Sequence, residues 1–246
     1  MGIVSNATAG PSALVVIPTY NERENLPVLV EGLMCHANVR ALVVDDQSPD
    51  GTGQLAEELG RRFSGRVAVL HRTSERGYGR SCMDGVRRAL REGVDLVCLM
   101  DADLSHDPKD LAAIIAASAG ADMVIGSRYV PGGRIVNWPV RRLLLSRFAN
   151  IYIRLVTRLQ VRDCTSGYRC WRREALQKVP LDRIRSDGYS FLTEMLFRTA
   201  RGGFRIAEVP ITFVERRQGE SKLSTAVLLE SLVTPWRLAA TRDRDR

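Results

Sequence analysis

Leu96-Val-Cys-Leu-Met-Asp-Ala-Asp-Leu-Ser-His-Asp-Pro108 is the most informative stretch of this 246-residue sequence. Its apolar first half has the length and composition of a buried strand, and it stops abruptly at two carboxylates. Because side chains alternate along a strand, Asp101 and Asp103 can point the same way at its end. Two close carboxylates are costly unless a cation lies between them, and their hard oxygens suit Mg²⁺ or Mn²⁺. The stretch therefore predicts a divalent-metal site that can bridge a diphosphate, with a solvated Asp-rich loop as the alternative.

The composition is that of a globular protein with anionic partners. Hydrophobic residues make up 45% of the chain, which is enough for a full core and excludes a disordered protein. The net charge of +8 favours nucleic acid, phospholipid head groups or a phosphorylated substrate as partners. The five cysteines form no C-x-x-C pair, so reduced cytosolic thiols are expected rather than a zinc site or disulfides. Residues 1–11 lack the pattern of a signal peptide and are expected to form a flexible tail.

Strand-like apolar runs alternate with helix-like segments through the first half of the chain. The strand predictions cover residues 13–17, 41–44, 67–70, 96–100 and 122–125, and the helix predictions cover residues 26–37, 53–63, 81–91 and 111–119. This alternation predicts an α/β domain with a parallel sheet and right-handed crossovers. Asn25 is expected to cap the first helix. Ligands bind beyond the carboxyl ends of parallel strands, where Tyr20, Glu22, Asp45 and Asp46 also fall.

A glycine pair flanked by arginines, Gly77-Tyr-Gly79, looks like a phosphate loop at first sight. It matches neither G-x-x-x-x-G-K-[ST] nor a G-x-G-x-x-G motif after the first strand. A P-loop NTPase and an NAD-binding domain are therefore both poor interpretations. Aromatic residues make up only 6% of the chain and are scattered, which argues against nucleic-acid binding through a basic stripe with stacking rings.

Six segments follow one another in an order known from one enzyme family. They are Val16-Ile-Pro-Thr-Tyr-Asn-Glu-Arg-Glu-Asn-Leu26, Val43-Val-Asp-Asp-Gln-Ser-Pro-Asp-Gly51, Asp101-Ala-Asp-Leu-Ser-His-Asp-Pro108, Gly126-Ser-Arg-Tyr-Val-Pro-Gly-Gly133, Thr165-Ser-Gly-Tyr-Arg169 and Gly219-Glu-Ser-Lys-Leu223. Through them the chain resembles the family 2, GT-A-fold glycosyltransferases, and more narrowly the polyprenol (dolichol) phosphate mannose synthases. The resemblance implies a GT-A fold: a mostly parallel Rossmann-like sheet flanked by helices, with a peripheral amphipathic acceptor helix. Residues 12–224 would form this domain, with the acceptor loop and helix at 131–158. Residues 225–246 would form a C-terminal amphipathic helix and polar tail.

The activity that the resemblance implies is an inverting transfer of mannose from GDP-mannose to a polyprenyl (dolichyl-type) phosphate. The acceptor phosphate is already an anion near pH 7 and needs no general base. In keeping with this, the Gln-x-x-Arg-Trp motif of the family's processive polysaccharide synthases is absent. The nearest alternative is the same fold with UDP-glucose or UDP-GlcNAc as the donor. A non-catalytic nucleotide-sugar-binding subunit is another, against which the retained Asp101, Asp103, Arg128 and Lys222 argue.

The resemblance also implies the function of single residues. Those expected to hold the nucleoside are Pro18, Tyr20, Glu22, Val44 and Asp46. Those expected to line the diphosphate and a Mg²⁺ or Mn²⁺ ion are Asp101, Ala102 and Asp103, with Ser105 where some members carry Gln as a further metal ligand. Those expected to bind the donor phosphates are Arg128, Arg216 and Lys222. The acceptor phosphate is assigned to Arg128, Arg142 and Ser146, and catalysis to Asp101, Asp103 and Arg128. Asp187 and Glu194 are assigned to structure or loop ordering.

Residues 131–158 carry the predictions about a membrane. Residues 132–139 are expected to form a mobile loop, with Trp138 as an anchor at the membrane interface. Residues 140–158 are helical, and their arginines break any apolar run long enough to span a bilayer. Such a basic helix either lies on an anionic membrane or packs on the domain with its arginines in solvent, and the resemblance favours the membrane.

One further strand is predicted at residues 206–215. The last predicted helix, residues 225–240, is also amphipathic. Glu230, Pro235 and Arg237 interrupt it, so it is not expected to cross a membrane. The protein is therefore expected in the cytoplasm, in peripheral contact with the cytoplasmic face of a membrane. A separate membrane-protein partner is compatible with this arrangement.

Overall fold

The structure is a computed structural model that describes residues 10–215 and 225–241. The strands are β1 (Ala13–Thr19), β2 (Val39–Asp45), β3 (Val67–His71), β4 (Leu96–Leu99), β5 (Met123–Ser127), β6 (Arg134–Val136), β7 (Arg169–Arg172), β8 (Ile206–Pro210) and β9 (Thr212–Val214). The helices are α1 (Leu26–Met34), α2 (Thr52–Arg62), α3 (Tyr78–Arg91), α4 (Leu111–Ala117), α5 (Val140–Thr157), α6 (Arg173–Lys178), α7 (Ser190–Arg201) and α8 (Thr225–Thr241). Most of the expected N-terminal tail and the last five residues of the polar C-terminal tail lie outside the described residues.

A seven-stranded sheet with the order β3-β2-β1-β4-β7-β5-β8 runs through the described part of the chain. The strands β3, β2, β1 and β4 are parallel neighbours, and β5 is parallel to β8. Between these two groups β7 runs antiparallel to both β4 and β5. The sheet is therefore mostly parallel, as predicted.

Both faces of the sheet are covered by helices. Val15 and Ile17 of β1 enter the core that also contains the apolar side of α1, whereas Leu14 and Val16 enter a second core with α3. Burial on both faces explains why the strands appear in the sequence as continuous apolar runs rather than alternating ones.

Close packing brings α3 down onto the sheet. A Cβ atom at Gly85 would lie 2.3 Å from Cγ1 of Val16 and 2.9 Å from Cγ2 of Val44, so a side chain does not fit there. This contact holds the helix against β1 and β2. The first turn of α3 consequently lies over the edge of the sheet where those strands end.

The five predicted strands and four helices of the first 125 residues are confirmed, with bounds that shift by up to a few residues. The strand β7 was not predicted, because Arg-Cys-Trp-Arg is short and has a charged residue at each end. Because β7 lies between β4 and β5, these two strands are not direct neighbours.

The region predicted as one strand at residues 206–215 is divided in two. The first part, β8, continues the main sheet, and the second part, β9, pairs in parallel with β6 in a separate two-stranded sheet. Because β6 lies inside residues 132–139, part of the expected loop is ordered by this pairing. A bridge between His106 and Phe213 attaches the small sheet to the loop after β4.

One local prediction is corrected by the structure. Asn25 occupies the N-cap position of α1, but its side chain makes no cap hydrogen bond and instead donates to Glu22 Oε2 at 2.9 Å. Trp138 is partly buried: its ring packs edge-on against Phe213, with centroids 5.3 Å apart, and its Nε1 atom is buried. Its contact with a membrane stays a prediction.

Candidate active site

The carboxyl ends of β1, β2 and β4 meet at one edge of the sheet. Thr19 pairs with Asp45 across β1 and β2, and the amide of Met100 donates to the carbonyl of Val16 at 3.1 Å. Tyr20 and Asp46 directly follow β1 and β2, and Asp101 comes two residues after the end of β4. The parallel register therefore brings the predicted nucleoside and metal residues to one edge, although they are as far apart in sequence as Pro18 and Ser105.

Asp46 ties this edge to the loop that precedes α3. Its carboxylate pairs with the buried guanidinium of Arg72, and its Oδ2 accepts a hydrogen bond from the amide of Gly77 at 2.8 Å. Arg72 in turn donates to Asp84 at 2.7 Å and to Ser74 at 2.9 Å. Asp46 was expected to contact the nucleoside; the structure places it at the right edge but engages both of its oxygens in holding this loop.

The other expected nucleoside residues line the same edge. Tyr20 lies beneath the guanidinium of Arg76, whose carbon is 4.6 Å from the ring centroid. The amide of Glu22 donates to Thr52 Oγ1 at 3.0 Å. Pro18 is half-buried and Val44 is fully buried within their strands, so they contribute the floor of the site. Arg76 is one of the arginines that flank Gly77-Tyr-Gly79, the segment whose spacing does not match a phosphate loop.

Asp101 is a partly buried carboxylate, with 26% of its side chain exposed. Its Oδ1 accepts a hydrogen bond from the hydroxyl of Tyr78 at 2.8 Å, and its Oδ2 lies 3.9 Å from Nδ1 of His106. A Cβ atom at Gly167 would lie 2.7 Å from Oδ2, so the backbone of Gly167 lies against the carboxylate. Burial raises the pKa of Asp101, and the charge of Asp103 raises it further, against the opposing effects of His106, Tyr78 and Arg128.

Asp103 is held by its own loop. Its Oδ1 accepts hydrogen bonds from the amide of Ser105 at 3.1 Å and from the buried Ser105 hydroxyl at 2.5 Å. Ala102, between the two aspartates, is buried. The Ser105 hydroxyl thus orients Asp103 in this structure, and its expected contact with a metal stays a prediction.

The two carboxylates fit a Mg²⁺ or Mn²⁺ ion of the kind that enters with a diphosphate. Mg²⁺ is usually bound through one or two carboxylates and completes its coordination with substrate phosphates and water. In the described ranges, no group of three or more His, Cys, Asp or Glu side chains is placed to hold a metal ion. Asp101 and Asp103 alone would then supply the protein ligands, and their mutual repulsion would be relieved by the ion.

Arg128 lies at the end of β5 in a buried ion pair that the sequence did not reveal. Its Nε and Nη2 donate to the two oxygens of Asp163 at 2.8 and 2.7 Å, and Nη2 also donates to Thr165 at 2.7 Å. Burial would raise the pKa of Asp163, but Arg128 lowers it below its usual value. Nη1 takes no part in the pair, so the expected phosphate contact would use that side of the guanidinium.

An aromatic enclosure surrounds Arg128. The guanidinium carbon is 5.2 to 5.6 Å from the ring centroids of Tyr129, Trp138 and Phe213. The ring of Trp138 also contacts a second arginine, since the guanidinium carbon of Arg142 lies 4.1 Å from its centroid. The small sheet therefore places the end of β5 next to the start of α5.

Two of the three residues expected at the acceptor phosphate, Arg142 and Ser146, are on α5, and the third is Arg128. Arg142 pairs with Glu215, and Ser146 accepts a hydrogen bond from the Tyr129 hydroxyl at 2.7 Å. Through Trp138 and Tyr129, Arg142 and Ser146 contact the aromatic rings around Arg128, and their assignment to the acceptor stays a prediction. Arg216 and Lys222, expected at the donor phosphates, lie outside the described residues.

Asp187 and Glu194 contribute to loop structure, as expected. The buried Glu194 accepts hydrogen bonds from the amides of residues 185 and 186 and pairs with Arg198 and Arg237. The carbonyl of Asp187 accepts from the amide of Gly79 at 2.7 Å. The segment before α7 is thereby fixed to the first turn of α3.

A large apolar surface lies on the neighbouring helices α5 and α8, which are joined by a hydrogen bond of 2.6 Å from the Tyr152 hydroxyl to the Leu232 carbonyl. We call it the α5–α8 face and define it by Val140, Leu144, Leu145, Phe148, Ile151, Leu155, Leu229, Leu232, Val233 and Trp236, all exposed. None of the helices in the described ranges is both long and apolar enough to span a bilayer.

Comparison with known proteins agrees with the resemblance in the motifs. The model of glycosyl transferase family 2 matches residues 14–180. The chain is 48% identical over 247 residues to polyprenol monophosphomannose synthase of Mycolicibacterium smegmatis, covering 98% of this chain and 93% of that protein. It is 47% identical over 230 residues to undecaprenyl-phosphate mannosyltransferase of Micrococcus luteus, covering 92% and 94%.

One solved structure supports the fold. The mannosyltransferase PcManGT from Pyrobaculum calidifontis, in complex with GDP-Man and Mn²⁺, aligns with a TM-score of 0.52 and 18% identity. The alignment covers 97% of this chain and 75% of that chain. The likeness concerns the arrangement of strands and helices.

The Arg128–Asp163 pair generates a stability prediction. In Asp163→Ala the Arg128 charge stays buried without its partner, so the free energy of unfolding at pH 7 should fall by about 3–5 kcal/mol. Urea denaturation measures this change. The control is Asp182→Ala, since the Asp182 side chain is 98% exposed and its pairing with Arg87 is a surface contact. A similar stability for both variants would contradict the importance of the buried pair.

The same pair predicts how the stability difference between wild type and Asp163→Ala depends on pH. The pKa of Asp163 is lower in the folded protein than in the unfolded chain, where it is about 3.9. The ion pair therefore contributes its full stabilisation above pH ~3.9, and this stabilisation is lost as the pH falls towards the folded-state pKa. The stability difference between wild type and Asp163→Ala should therefore stay constant near neutral pH and shrink only in acid. A difference that shrinks on the alkaline side would contradict this.

Proposed function

The chain belongs to glycosyl transferase family 2, and we propose that it transfers mannose from GDP-mannose to a polyprenyl phosphate with inversion at the anomeric carbon. The products are polyprenyl-phosphate mannose and GDP. The observation that carries the proposal is the convergence of Asp101, Asp103 and Arg128 at one edge of a GT-A sheet. The names of two relatives at 47% and 48% identity, both polyprenyl-phosphate mannosyltransferases, support this substrate pair.

On the donor side, the reaction requires positive charge where the leaving group becomes more negative. Negative charge builds on the β-phosphate of GDP as the bond to mannose breaks. Asp101 and Asp103 would hold a Mg²⁺ or Mn²⁺ ion, whose positive charge would stabilise the leaving diphosphate. The Nη1 side of Arg128 supports it with a cation already oriented by Asp163, so little reorganisation is needed during the reaction.

The nucleoside would occupy the edge formed by Pro18, Tyr20, Glu22, Val44 and Asp46. Tyr20 offers a ring face that is covered by the guanidinium of Arg76, and a base could stack there in its place. Arg216 and Lys222 would contact the phosphates. Ser105 would act on the metal indirectly, by orienting Asp103.

On the acceptor side, the lipid phosphate attacks the anomeric carbon directly. Its oxygen is already ionised near neutral pH, so the protein needs to bind and orient it rather than deprotonate it. Arg142 and Ser146 lie on α5 close to the aromatic enclosure of Arg128, and they would hold this phosphate. To do so Arg142 would exchange its contact with Glu215 for the acceptor.

The α5–α8 face would lie in the membrane that holds the lipid part of the acceptor. This surface combines exposed apolar side chains with arginines on the same helix, the composition of helices that lie in the interface of an anionic membrane. We place the protein peripherally on the cytoplasmic face of a membrane, with α5 next to the lipid phosphates. A separate membrane-protein partner remains compatible with this placement.

The transfer itself is tested with labelled GDP-mannose, Mn²⁺ and a short polyprenyl phosphate. Label should move into the organic phase, and Asp103→Ala should lower the rate by at least about 100-fold, since even changes around metal ligands lower activity roughly 10–100-fold. Asp107→Ala is the control, because this exposed carboxylate lies in the same loop and caps only the turn at Lys109. Label that stays in water with wild-type protein rejects the function. Transfer from UDP-glucose or UDP-GlcNAc instead would identify the alternative donor.

Arg142→Ala tests the acceptor side. Loss of a charge-assisted hydrogen bond should raise the KM for polyprenyl phosphate about tenfold and leave the Kd for GDP, measured calorimetrically, unchanged. The exposed neighbour Arg141, changed to Ala, is the control for the loss of positive charge on α5. Weakened GDP binding in Arg142→Ala would instead place this arginine on the donor side.

Phe148→Glu tests the membrane contact. The Phe148 side chain lies in the α5–α8 face and is 61% exposed, so its burial in a bilayer should contribute about 1.5–3 kcal/mol to binding. Co-sedimentation with anionic phospholipid vesicles should fall at least about tenfold. Val28→Glu is the matched control, because Val28 is 54% exposed on α1, outside the face. Equal vesicle binding by both variants would exclude this face as the membrane contact.

A further inference from the structure

Tyr78 is a residue of the site that the motifs did not identify. It is the first residue of α3, directly after Gly77 and before Gly79, and its hydroxyl donates to Oδ1 of Asp101 at 2.8 Å. The two residues are 23 positions apart and belong to different loops of the sheet edge. The hydrogen bond therefore exists because α3 begins at this edge.

Two hydrogen bonds fix the backbone around Tyr78. The amide of Gly77 donates to Asp46, and the amide of Gly79 donates to the carbonyl of Asp187 at 2.7 Å. A Cβ atom at Gly79 would lie 2.7 Å from that carbonyl oxygen, so a glycine is required for the close approach. The first turn of α3 is thus held from both sides, which limits where the Tyr78 hydroxyl can lie.

The ring of Tyr78 is held as well. It stacks on the ring of Tyr189, with centroids 5.0 Å apart and planes inclined by 27°. A phenol hydroxyl is protonated near neutral pH, and that of Tyr78 donates to Asp101. A fixed donor on Oδ1 determines the rotation of the Asp101 carboxylate.

The Asp101 side chain is 26% exposed, so a ligand can still reach the carboxylate. The backbone of Gly167 lies against Oδ2, and His106 Nδ1 is 3.9 Å from the same oxygen, beyond hydrogen-bond distance. Tyr78 therefore occupies one oxygen of Asp101 with a strong hydrogen bond and leaves the other without an equally close donor. Groups that orient a metal-binding carboxylate in this way change metal affinity without touching the metal.

We propose that Tyr78 is a positioning residue that orients Asp101 for the divalent cation of the donor diphosphate. The inference rests on the proposed function, since it assumes that Asp101 binds this cation. Tyr78 acts through Asp101 and makes no contact with the sugar. The stacking on Tyr189 serves to hold the hydroxyl in place.

The test is Tyr78→Phe, which removes the hydroxyl and retains the ring that stacks on Tyr189. Bound Mn²⁺ is measured by electron paramagnetic resonance titration in the presence of GDP. The Kd for Mn²⁺ should rise about tenfold or more, in the range of 10–100-fold typical for groups that orient metal ligands. The Kd for GDP in EDTA and the melting temperature should match those of the wild type, because the fold and the nucleoside edge are unchanged.

Kinetics give a second measurement on the same variant. At limiting Mn²⁺ the transfer rate of Tyr78→Phe should be strongly reduced, and it should recover towards the wild-type rate as Mn²⁺ is raised. Tyr189→Phe is the control, since it removes a hydroxyl from the other ring of the stack and leaves the bond to Asp101 intact. This control should bind Mn²⁺ like the wild type.

Two results would overturn the inference alone. They are wild-type Mn²⁺ affinity in Tyr78→Phe, or equal weakening in Tyr78→Phe and Tyr189→Phe, which would indicate a general packing effect. If the wild-type protein bound GDP but no Mn²⁺, the metal site of the proposed function would be rejected. The inference about Tyr78 would then be rejected as well. The wild-type titration therefore separates the two failures.

Discussion

The partly buried charge of Asp101 is the constraint on which the site depends. A carboxylate that is partly removed from water needs nearby donors or positive charge, or its pKa rises until it loses the charge. The hydroxyl of Tyr78 donates to Asp101, the backbone of Gly167 packs against it, and the charge of Arg128 acts from a greater distance. These residues come from the first turn of α3, the loop before β7 and the position directly after β5. Three separate segments therefore meet at this carboxylate.

Those segments are themselves held by buried ion pairs rather than by apolar packing alone. Arg72 with Asp46 fixes the loop before α3, and Arg128 with Asp163 fixes the segment before β7 to the end of β5. Such pairs are weak contributors to stability when compared with well-packed apolar groups, but removal of one partner is strongly destabilising. In this protein they also fix local geometry: the Arg72–Asp46 pair holds the loop that carries Gly77, and the Arg128–Asp163 pair orients the guanidinium of Arg128. Their rigidity suits stabilisation of charge that develops only in the reaction.

The sequence allowed the parallel strands to be predicted because burial on both faces leaves long apolar runs that end at polar residues. Asp101 and Asp103 were found by this reasoning, and their neighbours at other strand ends came from resemblance to the family. The strand β7 escaped, since its four residues begin and end with arginine and only its two neighbours make it a strand. Asp163, the partner of Arg128, was not predicted for another reason. Asp163 is 35 residues away, and no local pattern indicates a contact that depends on the packing of a third strand.

The helix α5 shows how one segment can serve both substrate and membrane. Its residues Leu144, Phe148, Ile151 and Leu155 are spaced by three or four positions and therefore share one exposed side. Arg142 and Ser146 lie on a different side, against Trp138 and Tyr129. A lipid phosphate has the same two-part character, since its chain belongs in the bilayer and its charge must reach the sheet edge. If the apolar side of α5 lies in the membrane, the helical repeat alone brings Arg142 to the depth of the head groups and turns it towards Arg128. The distance between lipid and donor would then be set by the width of a single helix, with no requirement for the acceptor to leave the membrane.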